Sequence, residues 1–165
     1  MTMHIRTDSV ESTKRLAAAL APILRTGDVL ILTGDLGGGK TAFVQGLAAG
    51  MGIADAVTSP TFALVQTYQG TLSLHHLDAY RLQRPEEFVD LNLPELLDDS
   101  GVLAIEWGEK LLEELPRDYL FVQFNVDLSS ESPNVREIEI EAVGPSWENR
   151  TTAVAEAAQT VVKES

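Results

Sequence analysis

Gly34-Asp35-Leu36-Gly37-Gly38-Gly39-Lys40-Thr41 follows the apolar quartet Val29-Leu30-Ile31-Leu32 and precedes a run of small and apolar residues that ends at Gly50. Glycine, four residues, then Gly-Lys-Thr is the spacing of a phosphate-binding loop. The quartet reads as a short, fully buried strand, and Lys40 to about Gly50 reads as a helix, so the pattern sits in the strand–loop–helix context it requires. Glycines let the backbone curl until successive N–H groups point inward as an anion cradle. The helix start adds its positive dipole end. In such a loop Lys40 reaches the β- and γ-phosphates and the Thr41 hydroxyl ligates Mg²⁺. An ordinary glycine-rich turn is the bland alternative; it requires Lys-Thr and both flanking elements to coincide by accident.

Working outward, Asp8 to Arg25 reads as a helix with Asp8 and Glu11 as a capping box, an apolar stripe of Leu16, Leu20, Ile23 and Leu24, and a stop at Gly27; Pro22 marks a kink or break. Gly46 and Gly50 weaken the helix after the loop and suit close packing. Thr58-Ser59-Pro60-Thr61 is a polar turn. Phe62 to Tyr68 and Leu72 to Asp78 read as strands joined by a tight turn at Gln69-Gly70. Pro85 to about Ser100 is acidic and irregular, a place for short helical turns. Val102 to Ile105 is another buried strand ending at Glu106-Trp107, and Glu109 to Leu115 reads as a short helix stopped before Pro116. Tyr119 to Val126 and Val135 to Val143 alternate as a hairpin does, around a Ser-rich loop. Ser146 to Val162 reads as a final helix, capped by Ser146 with Asn149 and fraying at its end. With no repeat or linker in view, 165 residues suggest one domain over positions 1–165.

The chain has no cysteine, which removes disulfides and thiolate metal sites, and its formal charge of −13 argues against gripping nucleic acid directly. Neither a signal segment nor a membrane span is read, so a cytoplasmic location is the expectation.

A nucleotide loop needs a carboxylate for its metal at the end of a neighbouring strand. Asp78 and Glu106 both qualify, for holding Mg²⁺ directly or through water, or for orienting an attacking water. A strand-end carboxylate that merely caps the next helix is the alternative for each. Thr58, Ser59 and Thr61 have hydroxyls suited to sensing a γ-phosphate, and equally suit a turn stiffened by Pro60. His75 and His76 are adjacent in a strand, so they face opposite sides and cannot share a metal; one is expected to pack and the other to meet solvent. Arg81 and Arg84 are the cations nearest Asp78 and read as surface salt-bridge partners before charge stabilisers. Trp107 flanks the site or packs in the core.

Four blocks in this order, Gly34 to Thr41, Thr58 to Phe62, His76-Leu77-Asp78-Ala79-Tyr80-Arg81-Leu82 and Ile105-Glu106-Trp107, resemble the TsaE (YjeE) family of bacterial ATPases in tRNA threonylcarbamoyladenosine biosynthesis, over roughly residues 8 to 143. The resemblance implies a small P-loop NTPase-type α/β fold, a three-layer sandwich with a mixed central sheet flanked by helices. It implies ATP and Mg²⁺ as cofactors, weak ATPase activity, and work with the TsaB and TsaD proteins on adenosine 37 of tRNA, with tRNA met only through those partners. Carried over, Gly37, Gly38, Gly39, Lys40, Thr41 and Ala42 hold the phosphates. Thr41 and Glu106 ligate Mg²⁺, with Asp78 in the Walker B-like position, and Lys40, Asp78 and Glu106 form the catalytic set. Thr13 and Arg136 are placed near the base or ribose. Two loop positions depart from the family pattern: Gly38 stands where alanine is commoner, expected to be harmless, and Ala42 replaces a second threonine.

The main rival is a small-molecule P-loop kinase, which closes a basic lid over its substrates; no Arg-rich segment follows the loop. A GTPase switch lacks its Asn-Lys-x-Asp motif here, and a non-catalytic nucleotide-dependent scaffold is the third reading.

Overall fold

In the computed structural model, which describes residues 1–60, 65–98 and 101–163, the strands are β1 (Thr2–Thr7), β2 (Val29–Gly34), β3 (Val65–Tyr68), β4 (Ser73–Asp78), β5 (Gly101–Glu106), β6 (Tyr119–Val126) and β7 (Arg136–Val143). The helices are α1 (Val10–Leu20), α2 (Lys40–Gly50), α3 (Pro85–Val89), α4 (Leu93–Asp98), α5 (Pro145–Glu148) and α6 (Thr151–Lys163), with 3-10 turns at Ala21–Ile23, Ala79–Arg81 and Gly108–Leu111. One seven-stranded sheet runs β1-β7-β6-β2-β5-β4-β3. β6, β2, β5 and β4 are mutually parallel, while β1, β7 and β3 pair antiparallel to their neighbours. This is the mixed α/β sandwich expected from the sequence, and its central strand β2 is the one that leads into the glycine-rich loop.

Alternation along each strand sorts the sheet's side chains into two cores. Leu30, Leu32, Leu74, Ala104, Val122 and Ile140 face the layer that includes α1, α2 and α6. Val29, Ile31, Leu77, Leu103 and Ile105 face the other way, against Phe88, Leu93, Leu111 and Leu115. Residues of both kinds within one strand explain why β2 and β5 read as continuous apolar runs rather than as alternating ones.

Gly46 and Gly50 do serve close packing. A Cβ on Gly46 would lie 2.7 Å from the Lys14 Cα and 2.9 Å from the Ala17 Cβ, and one on Gly50 would lie 2.6 Å from the Ala18 carbonyl oxygen, all on α1. Gly46→Ala therefore gains about 1 kcal/mol of helix propensity but incurs an overpacking cost of roughly 1–3 kcal/mol. The expected outcome is a lower urea midpoint, and an unchanged or higher one would contradict this packing.

Several boundaries differ from the sequence reading. The first helix is capped by Ser9, not Asp8: Ser9 Oγ accepts from the Ser12 N–H, and the Ser12 hydroxyl oxygen accepts from the Ser9 N–H. Asp8 instead accepts the Ser9 and Ser12 hydroxyls. That helix stops at Leu20, and Pro22 sits in the first positions of a separate 3-10 turn, where its missing N–H breaks no helical hydrogen bond. Glu109 to Leu115 is not an α-helix but the 3-10 turn at Gly108–Leu111 followed by turns. The final helix is two helices: Gly144 at φ 93° precedes α5, Ser146 caps nothing and donates its N–H to Asp118 Oδ1, and α6 restarts at Thr151. Positions 62–64 of the expected strand Phe62 to Tyr68, and Thr61 of the expected polar turn, lie outside the described residues. β1 has no counterpart in the sequence reading.

Candidate phosphate site

β2 delivers the loop to the carboxyl end of the parallel strands. Gly34, Gly37 and Gly39 all take positive φ (129°, 75° and 109°), a region that side-chain-bearing residues rarely enter. At Gly38 a Cβ would lie 2.9 Å from the Asp35 carbonyl oxygen and 3.2 Å from the Phe124 Cβ, so glycine there fits a tight passage between loop and β6. Beside the loop lies a cleft of about 500 Å³ lined by Gly37, Lys40, Thr41, Asp78, Glu106 and Trp107, with Val10, Leu36, Ser59 and Tyr80 at its margins.

The register of the sheet brings the two carboxylates together. Asp78, the last residue of β4, pairs with Glu106, the last of β5, and Leu32 of β2 pairs with Glu106 on its other side. Residues in register on parallel neighbours share a face, so both acids look toward the side from which α2 springs. The Thr41 hydroxyl on the first turn of α2 donates to Glu106 Oε1 at 2.7 Å. Lys40 Nζ donates to the carbonyls of Gly34 at 2.7 Å and Asp35 at 2.8 Å, and lies 4.1 Å from the Trp107 ring centroid. Trp107 itself holds a left-handed backbone (φ 61°), an uncommon state for an aromatic residue and one that turns the chain sharply after Glu106.

Electrostatics follow from this crowding. Burial pushes the Lys40 ammonium down, against the pull of Glu106, Glu109, Asp35 and Asp78. Burial pushes the Glu106 carboxyl up, but the adjacent His76, the Thr41 hydroxyl and the Lys40 charge outweigh it and hold the group below the ordinary glutamate range. A carboxylate with a depressed folded-state pKa contributes stability above its unfolded pKa and loses it as pH falls through the folded one. Glu106→Gln should therefore flatten the acid side of the pH–stability curve, measured as urea midpoints; an unchanged slope would contradict it.

Asp78 also does what the bland reading foresaw: its Oδ1 accepts the Tyr80 N–H at 3.0 Å and caps the following 3-10 turn. Its Oδ2 accepts the Ser59 hydroxyl at 3.4 Å, which brings the Thr58–Ser59 turn to the cleft. The histidines do face opposite sides of β4, but neither reaches solvent, because both faces of the sheet are covered. His75 meets Thr67 Oγ1 at 2.9 Å on one side. On the other, His76 is fully buried with Nε2 3.6 Å from Glu106 Oε1, beyond hydrogen-bond length but within ion-pair reach. Its position two residues before Asp78 was the available signal for this. Arg84 is exposed and forms no ion pair among the described residues.

Thr13 is buried with its hydroxyl shared with Thr7 Oγ1 at 2.9 Å, and its Cγ2 lies beside the loop at Gly39; Val10, a turn earlier, lines the cleft. Arg136, at the start of β7, grips the loop from outside. Nε donates to the Gly38 carbonyl at 3.2 Å and Nη2 to the Gly37 carbonyl at 3.1 Å, while Nη1 is held by the carbonyls of Pro133 and Val135. Holding carbonyls outward favours amides turned inward. Arg136→Ala should weaken phosphate-ligand binding by roughly tenfold, the scale of one charge-assisted hydrogen bond, in calorimetry; wild-type affinity would show the grip to be incidental.

Strand, glycine-rich loop and helix on a mixed sheet, with Lys-Thr at the helix start and two strand-end carboxylates beside it, define a P-loop α/β protein. Comparison with known proteins narrows the class. The family described as "Threonylcarbamoyl adenosine biosynthesis protein TsaE" matches residues 7–138, and the chain belongs to it. A relative from Bacillus subtilis, named tRNA threonylcarbamoyladenosine biosynthesis protein TsaE, is 40% identical over 144 residues, 87% of each chain. One of the same name from Treponema pallidum is 42% identical over 118 residues, 72% of this chain and 87% of its own. The crystal structure of Bacillus subtilis YdiB superposes with a TM-score of 0.74 at 33% identity, covering 97% of this chain and 95% of that one. No described helix is long and apolar enough to cross a membrane.

Proposed function

We propose that this chain binds ATP with Mg²⁺ in the cleft and hydrolyses it slowly, as an accessory subunit acting with the TsaB and TsaD proteins in threonylcarbamoylation of tRNA. The observation that supports this most is the Thr41–Glu106 contact of 2.7 Å beside the glycine-rich loop: two hard oxygen donors at the start of a P-loop helix. The donor set suits Mg²⁺, which takes one or two protein oxygens and completes its shell with water and phosphate oxygens. A site built from several imidazoles or carboxylates has no counterpart among the described residues.

In this reading the loop amides and Lys40 hold the β- and γ-phosphates, and Lys40 leaves its carbonyl partners to do so. Thr41 and Glu106 hold the metal, which when bound neutralises charge developing on the phosphate oxygens. Asp78, already fixed by Tyr80 and Ser59, orients the attacking water. Among the described residues no arginine lines the cleft, and Arg136 is engaged on the loop's outer side, so slow hydrolysis alone and stimulation by partners are expected. With a net charge of −13, any approach to tRNA runs through those partners.

The test is ATP hydrolysis by the wild-type chain alone and with TsaB and TsaD. Stimulation by the partners is expected. Failure of calorimetry to detect ATP association in excess Mg²⁺, with or without the partners, would overturn the proposal.

A further inference from the structure

On the face of the sheet away from α1 and α2, a groove of about 460 Å³ runs between α3, the start of α4 and the segment before β6. Phe88, Leu93, Leu115 and the exposed Val89, Pro94 and Pro116 make it apolar. Val89 is 62% exposed. Around it Glu86, Asp90, Glu95, Glu113 and Glu114 are all exposed, against the exposed Arg84 and Arg117 at the margins. None of these five acids forms an ion pair among the described residues. An apolar strip whose rim carries five exposed acids against two arginines has a definite complement.

Charge excludes most occupants. Anionic lipid surfaces and nucleic acids are repelled by the rim. A second copy of this chain brings a formal charge of −13 and no described helix with more than two Lys or Arg. We infer that the groove receives a basic amphipathic helix of a partner protein, its apolar stripe on Val89 and Leu115 and its cations on the rim. The floor has a second connection. Phe88, Leu93, Leu111 and Leu115 belong to the same core as Leu77, Ala79 and Ile105, the immediate neighbours of Asp78 and Glu106. A helix seated there therefore bears on the strand ends that carry both carboxylates; this second step rests on the function proposed above.

The full chain is titrated with a synthetic 18-residue Leu/Lys amphipathic helical peptide and followed by NMR and calorimetry. Expected are shifts centred on residues 88–94 and 111–116, at least tenfold weaker binding in 0.5 M than in 0.05 M salt, and no binding of a Leu/Glu peptide. Val89→Lys, which adds bulk and a like charge on an exposed position, should weaken the Lys peptide at least tenfold without lowering the thermal midpoint. Shifts elsewhere, or equal binding by Val89→Lys, would overturn the docking site. In the second arm, Val89→Lys should lose the stimulation of ATP hydrolysis by TsaB and TsaD while keeping its basal rate. Full stimulation of that variant would overturn the connection to the carboxylates. Absence of stimulation in the wild type would sink the function proposed above and leave the groove to be decided by the peptide.

Discussion

Lys40→Ala should abolish ATP binding at millimolar concentration in calorimetry while leaving the protein at least as stable as wild type. The two effects have one cause. The ammonium is buried among loop carbonyls and the Trp107 ring, and burial works against its charged form. It is worth little to the empty fold and much to a bound triphosphate. Losing its contacts to two phosphates, at about 1.5 kcal/mol each for hydrogen bonds to charged groups, lowers affinity roughly 100-fold or more. A lysine that was a keystone of the fold would behave differently: the variant would melt early. A wild-type heat of ATP association in Lys40→Ala would show that the cleft beside the loop is not the nucleotide site.

Arg150→Met should lower stability by about 3–5 kcal/mol, the scale for leaving one member of a buried ion pair alone. Arg150 Nη1 and Nη2 meet Asp28 Oδ2 and Oδ1 at 2.6 and 2.8 Å, both residues being nearly inaccessible. The guanidinium also donates to the carbonyls of Ile23 and Ser146 and stacks 3.8 Å over Trp147. Asp28 in turn accepts the Arg25 N–H at 2.7 Å, immediately before β2. Removing the arginine thus strands a carboxylate at the base of the strand that carries the phosphate loop. At about 2–4 °C per kcal/mol for a chain of this size, the melting midpoint should fall by roughly 10 °C. Asp28→Leu with Arg150→Met should recover much of the loss, because neither charge is then left unpaired. A single variant that melts like wild type would mean the pair is compensated elsewhere.

The parts that were readable in advance are those whose physics is local. Gly34 to Thr41 encodes its own conformation, since the glycines permit the positive φ values and the Lys-Thr follows at a fixed offset. Tyr119 to Val126 and Val135 to Val143 show their alternation and their turn side by side, and the hairpin is there, with β7 beginning one residue later at Arg136. β1 escaped notice because its inward set is only Met3, Ile5 and Thr7, and its partner β7 lies at the other end of the chain. Ser9 took the cap from Asp8 because both are good capping types one residue apart, and only the helix's register chooses between them. The break in the last helix is not legible because no Gly or Pro separates Ser146 from Val162, and only the folded structure turns Arg150 back to Asp28.

The chain's own order of residues therefore settled the positive-φ glycine-rich loop, the buried character of β2 and β5, and the acidic composition. Which carboxylates meet that loop was decided by strand pairing. Asp78 stands opposite Glu106, His76 is buried beside Glu106, and Arg136 closes on the loop from 98 residues away. Those contacts depend on register between strands distant in sequence, and a one-residue slip would turn each side chain to the other face. Hydrogen-bonded sheets carry that information in three dimensions, where no window of neighbouring residues can hold it.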